Sequence, residues 1–351
     1  MRIGILTIHL ATNPGAFFQA MSTQRYLENL GFESVIVNYQ SPKQRWLELA
    51  GFIAKRSFKM ILSNLRKRRA FQVEQKSLEL FPVTATHRKS KVRTLSKDFD
   101  IIIIGSDIVW SHETRPLGNL DLFFGEGLSP RRYLVSYAAS MGPSHKELPA
   151  KYVDLLSKFD YLSVRDEHTR ESLEKIGLEA QVVLDPTLLA NAANLVDRFT
   201  PTEVRNRNFV LVYCTFLSES SRNELRALAD RESLEIVVCG YPQKNLGLDL
   251  THLGPKSWLN LFHEAKFVVT DTFHGTIFSL LSATNFVTLD RAAIRNKALN
   301  LLSRLHLERF YSYTGVDESL FSEEIDWDRV ELQLSIEREK SIEFLRNFLS
   351  F

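Results

Sequence analysis

Only two cysteines occur in 351 residues, Cys214 and Cys239, and both lie in apolar runs of β character. Two such residues build no disulfide framework, and they read as buried, reduced thiols. The nine histidines are scattered without the spacing of a metal site, so no resident metal is expected. No stretch reaches the roughly 18 to 20 apolar residues that span a bilayer. The N-terminal MRIGILTIHL runs straight into a polar turn, unlike a signal peptide. The expected location is therefore cytoplasmic. Excess charge is missing too: 44 basic against 42 acidic residues leave +2, which by itself marks no partner.

What is present is an ordinary folded composition, 44% apolar and 25% charged, at a length suited to two domains. Arg2 to Ile8 reads as a strand, Ala16 to Leu30 as a helix stopped by Gly31, and Ser34 to Asn38 as the next strand. That is the opening of a doubly wound sheet. Asn13 and Gly15 form a turn at the tip of the first strand, where such sheets hold ligands, and Gln19 lies one helical turn further on. Asp98 to Ile104 reads as a buried strand ending at Gly105-Ser106-Asp107. Tyr161 to Val164 ends at Arg165, and Gln181 to Leu184 ends at Asp185. A polar, unperiodic stretch follows, and then a second β-α alternation from Phe209.

One segment has almost no acid. Residues 41 to 70 hold Lys43, Arg45, Lys55, Arg56, Lys59, Arg66, Lys67, Arg68 and Arg69 against Glu48 alone, interleaved with Trp46, Leu47, Phe52, Phe58, Met60, Ile61 and Leu65. Amphipathic basic helices of this kind suit an anionic membrane surface. Nucleic-acid contact and a packed insertion with a solvated basic face are competing readings.

The segment FVVTDTFHGTIFSLL, residues 267 to 281, is a strand, a tight turn and a helix N-terminus. Backbone N–H groups and the helix dipole favour an anion there. His274 sits in the turn and can carry a proton near neutrality. Arg165, at a strand's carboxyl end, can grip a carboxylate or phosphate, or pair with Asp166, Glu167 or Asp185.

TDTFHGTIFSLL resembles the TDSFHGT block of the polysaccharide pyruvyl transferase family. The N-terminal strand-turn-helix, DIIIIGSDIVW, YLSVRDEHTRESLEKIGLEAQVVLDPTLL and GPKSWLNLFHEAKFVV resemble that family's other blocks, in the same order. The resemblance implies an α/β fold of two Rossmann-like doubly wound domains facing a cleft, like the GT-B glycosyltransferases. The expected division is an N-terminal domain over 1–190 on the acceptor side with a basic helical insertion over 41–80. A linker over 191–207, a donor-side domain over 208–325 and a C-terminal helix over 326–351 complete it.

The implied reaction moves pyruvate from phosphoenolpyruvate, a substrate and not a cofactor, to a sugar of a bacterial surface polysaccharide or its lipid-linked precursor. His274 is the expected acid, and Asp107 either accepts a hydroxyl proton or caps its turn. Arg165, Gly275 and Thr276 are expected to hold the donor. Thr272 stands where some members have arginine, so Lys297 or Arg295 must supply the second cation. Asn13, Gly15, Gln19 and Ser106 are the candidate acceptor contacts. No cofactor, metal or nucleic acid is expected, and the basic segment is assigned to possible contact with the inner membrane surface. A GT-B transferase using a nucleotide sugar and a non-catalytic carbohydrate- or lipid-binding protein are the alternatives.

Overall fold

A strand of four isoleucines, Ile101 to Ile104, is stable only in a parallel sheet covered on both faces, and all four are buried. The computed structural model describes residues 1–53, 58–112, 120–143, 147–189 and 195–349. Lys55 and Arg56 of the basic segment, and 191–194 of the expected linker, lie outside the described residues.

The first lobe runs β1 (Arg2–Leu6), α1 (Pro14–Asn29), β2 (Glu33–Tyr39), α2 (Pro42–Ile53), α3 (Phe58–Glu74), β3 (Leu80–Thr86), α4 (Lys89–Ser96), β4 (Ile101–Ile104) and β5 (Tyr133–Ser136). It continues through α5 (Ala150–Leu156), β6 (Ser163–Val164), α6 (Glu167–Glu174) and β7 (Gln181–Val182). The second lobe comprises β8 (Phe209–Tyr213), α7 (Glu219–Arg231), β9 (Glu235–Val238), β10 (Leu248–Asp249), α8 (Pro255–Glu264) and β11 (Phe267–Thr270). After these come α9 (Phe273–Leu281), β12 (Phe286–Leu289), α10 (Arg295–Arg304), β13 (Tyr311–Ser312) and α11 (Trp327–Arg346).

The two large sheets are parallel and wound alike, β3-β2-β1-β4-β5 in the first lobe and β10-β9-β8-β11-β12-β13 in the second, and β6 and β7 form a parallel pair of their own. In the first, Ile3 stands beside Ser34 on one side and Ile101 on the other. Each order reverses at its first strand, the switch point where open α/β sheets bind ligands. The chain thus has the two-sheet architecture its resemblance implied.

The lobes meet over α1, which starts at an Asn13 cap with Pro14 in its first turn and is buried from Pro14 through Gln24. Phe18 packs on Phe278 of α9 at 5.1 Å and on Trp258 of α8 at 6.2 Å, making one apolar core continuous across the lobes. Asp326 caps α11, its side chain accepting from Arg329 N–H. That helix returns to the first lobe: Arg338 Nε donates to Leu188 O, and Phe344 meets Tyr137.

Two features go beyond the sequence reading. The strand β3 begins at Leu80, the last residue of the expected helical insertion 41–80, and runs on to Thr86. Pro82 lies within it, tolerable because β3 is the sheet edge. The basic insertion is also an interlobe clasp: Lys67 Nζ donates to Gly240 O at 2.9 Å, and Glu74 Oε2 accepts from Lys256 N–H at 2.8 Å.

Candidate functional site

Four strand ends and one helix start converge between the lobes. β4 supplies Ser106 and Asp107, β6 supplies Arg165, β7 leads to Asp185, and the β11–α9 turn supplies Phe273 and His274. Gly105 carries φ of +124°, and a Cβ there would lie 2.2 Å from Tyr137 O, so only glycine fits. Asp107 follows at φ +90°.

Asp185 is the centre of the cluster. Its Oδ2 accepts from Arg165 Nη1 at 2.7 Å and from Ser106 Oγ at 3.2 Å, and its Oδ1 accepts from Thr187. Burial alone would raise this carboxyl, but the Arg165 and His274 charges and the hydrogen bonds outweigh it and hold it low. His274 Nε2 lies 3.9 Å from the same Oδ2, too far for a hydrogen bond. Arg165 Nη2 stands 3.8 Å from Asp107 Oδ1. Of the two fates open to Arg165, pairing with Asp185 is realised, yet its Nε remains buried without a partner.

The second cation is Lys297, from the first turn of α10. It is 5% exposed, and no hydrogen bond or ion pair engages its ammonium among the described residues. Phe273 lies between the cations, 4.9 Å from Arg165 Cζ and 5.6 Å from Lys297 Nζ. Burial, reinforced by Arg165, pulls Lys297 down to about 8. Burial likewise lowers His274, with Asp185 opposing and Arg165 reinforcing, and its Nε2 is a buried atom without a partner. Two buried cations and an imidazole thus stand beside the buried Asp185 and the partly exposed Asp107, and the Lys297 ammonium, the Arg165 Nε and the His274 Nε2 have no hydrogen-bond partner among the described residues.

Several expected contacts serve the scaffold instead. Gly275 N–H is already taken by Thr272 Oγ1 at 2.9 Å, the N-cap of α9. Thr276 is fully buried and bonds Thr288 Oγ1 and Thr272 O. Arg295 forks onto Asp290 on the surface, so Lys297 alone of the two basic candidates reaches the cluster. Gln19 is fully buried, its amide donating to Ile8 O and Ala16 O, and therefore faces no acceptor. Ser106 is equally buried, between Arg165 and Asp185. Asn13 caps α1 and donates across the lobes to Tyr241 Oη at 3.3 Å. Gly15 touches the site in an unexpected way: a Cβ there would lie 2.2 Å from His274 Nδ1, so its lack of a side chain makes room for the ring.

Sequence reasoning missed Phe273 and Tyr241. An aromatic beside a turn looks like core until its neighbours are known, and Phe273 is indeed 6% exposed. Among the described residues no group of three or more His, Cys, Asp or Glu is placed to hold a metal. No helix among them is long and apolar enough to cross a membrane.

The same two-lobe architecture occurs in solved structures at low identity. A UDP-GlcNAc 2-epimerase from Methanocaldococcus jannaschii, solved with UDP-GlcNAc and UDP, is 12% identical with a TM-score of 0.53, covering 99% of each chain. The S. aureus MnaA–UDP structure gives 12% and 0.53 over 99% of this chain and 96% of that one. An alpha-glucosyltransferase bound to UDP-glucose and DNA gives 12% and 0.51 over 99% and 95%. These likenesses establish the GT-B fold and leave the chemistry open. No curated relative matches by sequence. A family model does match, over residues 13–292, taking in the Asn13 cap, the Arg165–Asp185 pair and the histidine turn, and on that match the chain belongs to the polysaccharide pyruvyl transferase family.

Proposed function

We propose that this protein transfers pyruvate from phosphoenolpyruvate to two hydroxyls of one sugar in a bacterial surface polysaccharide or its lipid-linked precursor. The observation that carries the reading is the unpartnered buried Nε2 of His274 and Nε of Arg165, with the 5% exposed Lys297, free of hydrogen bonds and ion pairs among the described residues, beside them at the interlobe site. A small molecule bearing a carboxylate and a phosphate would satisfy all three.

In this reading His274 protonates the methylene carbon of the donor, which becomes a methyl group and leaves an oxocarbenium-like carbon. One sugar hydroxyl attacks that carbon, the bond from carbon to the phosphate oxygen breaks, and the second hydroxyl closes the ketal. Two carbon–oxygen bonds form, one breaks, and phosphate departs. Of the two hydroxyl protons released, one balances the proton spent on carbon and the other leaves with phosphate. Asp107, partly exposed at the cleft beside Arg165, is placed to accept a hydroxyl proton. Burial keeps His274 below its ordinary value, and an incoming dianion favours its protonated form.

The basic insertion supports contact with an anionic membrane on the cytoplasmic face. The outer side of α3 exposes Leu62, Leu65 and Val73 beside Arg66, Arg69 and Lys76, and Trp46 on α2 is 65% exposed. Flotation with vesicles containing phosphatidylglycerol should retain the wild type and lose Trp46→Ala/Leu65→Glu; equal flotation would remove the membrane from the account.

The decisive test incubates the protein with phosphoenolpyruvate and candidate galactoside or mannosaminide acceptors. Products are weighed for the gain of one pyruvate less one water, alongside phosphate release. UDP-sugars serve as the competing donors. Sugar transfer from UDP without ketal formation would refute the reading.

A further inference from the structure

With Gln19 and Ser106 buried in the scaffold, the acceptor sugar needs another home. Two cavities among the described residues lie on the carboxyl edges of the sheets. One, of about 380 Å³, lies in the first lobe against α2 and α3. The other, of about 300 Å³, lies in the second lobe over the ends of β8, β11, β12 and β13. The second adjoins the reaction centre through the histidine turn itself: Asp271 lines it, and the next residue is the Thr272 cap of the helix bearing His274.

We propose that this second cavity binds a pyranose ring, stacked on Phe216 and Tyr313, as the acceptor subsite; the inference rests on the transfer reading above. The two rings are 73% and 64% exposed although both line a cavity. Tyr313 packs edge-to-face with Tyr311, and the Phe216 and Tyr313 rings stay largely exposed, in a depression that also carries Asp271, Asp290 and Arg291, which suits a ligand with one C–H face and a hydroxyl edge.

Their supports are fixed in advance. Asp271 accepts from Thr215 N–H at 2.6 Å and Phe216 N–H at 3.2 Å, holding the loop that presents Phe216. Ser312 Oγ accepts from Gly315 N–H at 3.3 Å, closing the turn that presents Tyr313. Asp290 is held by Arg295 and by Tyr311 Oη at 2.6 Å. Both carboxylates keep lone pairs for hydroxyls. The Arg291 guanidinium lines the cavity without a hydrogen-bond or ion-pair partner among the described residues, a donor for ring oxygens or an acidic substituent.

The test uses saturation-transfer NMR on the full chain with the methyl glycosides of galactose, glucose, mannose and N-acetylmannosamine. Saturation should reach the ring protons of at least one glycoside. Phe216→Ala/Tyr313→Ala should weaken that binding about ten-fold or more, as expected for two lost ring contacts. Tyr313→Leu keeps an apolar side chain and removes the flat face, so it should weaken binding with an unchanged melting temperature. Calorimetric affinity for phosphoenolpyruvate should be the same in all variants. Saturation as strong in the double variant as in the wild type, or none with any of the four glycosides, overturns the proposal. A wild type that binds a glycoside here but takes up no phosphoenolpyruvate would sink the transfer reading alone.

Discussion

Two helices of the second lobe begin at the interlobe cleft, and they meet negative charge in opposite ways. The N-terminus of α8, with Gly254 as cap and no side-chain bond of its own, is filled by the Glu74 carboxylate from α3. A Cβ on Gly254 would strike that carboxylate, so α3 and the start of α8 are closely seated. The N-terminus of α9 is closed by its own Thr272, and the surroundings contribute Arg165, Lys297 and His274. One helix start has its anion bound directly on a backbone N–H; at the other, Asp185 holds Arg165 and leaves His274 Nε2 and the Lys297 ammonium without a hydrogen bond among the described residues. A helix N-terminus is therefore not the anion site by itself here. Side chains brought from the facing lobe and from α10 decide which of the two is open.

Breaking the open side should have the largest effect. His274→Ala should lower ketal formation by about 10²–10⁴-fold, the range for losing a positioned acid, with the melting temperature unchanged. Retained turnover in a product assay would end its assignment as the acid. Gly15→Ala reaches the same ring from the other lobe. The new methyl group must displace the imidazole, so turnover should fall by about 10²-fold, as for a misplaced catalytic group, while α1 stays folded. A crystal structure of that variant with the ring unmoved would contradict this.

Lys297→Met should chiefly raise KM for phosphoenolpyruvate, by about 10- to 100-fold, from the loss of one charge-assisted contact, and Lys297→Arg should restore part of it. The pH dependence has a definite sign. The ammonium is charged below about 8 and neutral above, so donor affinity should fall as pH rises through that value. Stability moves the other way: between about 8 and the ordinary lysine value the unfolded chain binds more protons, so burying Lys297 costs less as pH rises. A flat affinity profile over that window would place Lys297 outside the donor site. On the filled side, Glu74→Ala should cost about 0.5–2 kcal/mol of stability, as a lost cap does, and leave KM for the donor unchanged. A changed donor KM would join the two helix starts into one site.

The histidine turn, the Arg165 strand end and the run of buried strands were legible because each is local. Apolar periodicity marks a strand, and a polar break marks its ligand-facing end. Lys297 was visible only as one of two basic candidates, and nothing local separates it from Arg295. The fork onto Asp290 removes Arg295, and burial beside Phe273 delivers Lys297. Gln19, Ser106 and Thr276 are polar residues near strand ends, and the sequence has no means of saying that their hydrogen bonds are satisfied inside the protein.

By itself, then, the order of residues determined two parallel sheets, their ligand-facing edges and the imidazole at one of them, since hydrophobic pattern and turn chemistry act over a few residues. Which cations reach that imidazole, which helix start is filled by Glu74, and why position 15 admits no side chain depend on groups far apart in the chain. Those were decided only when α1 packed against α8 and α9 and brought the two edges face to face.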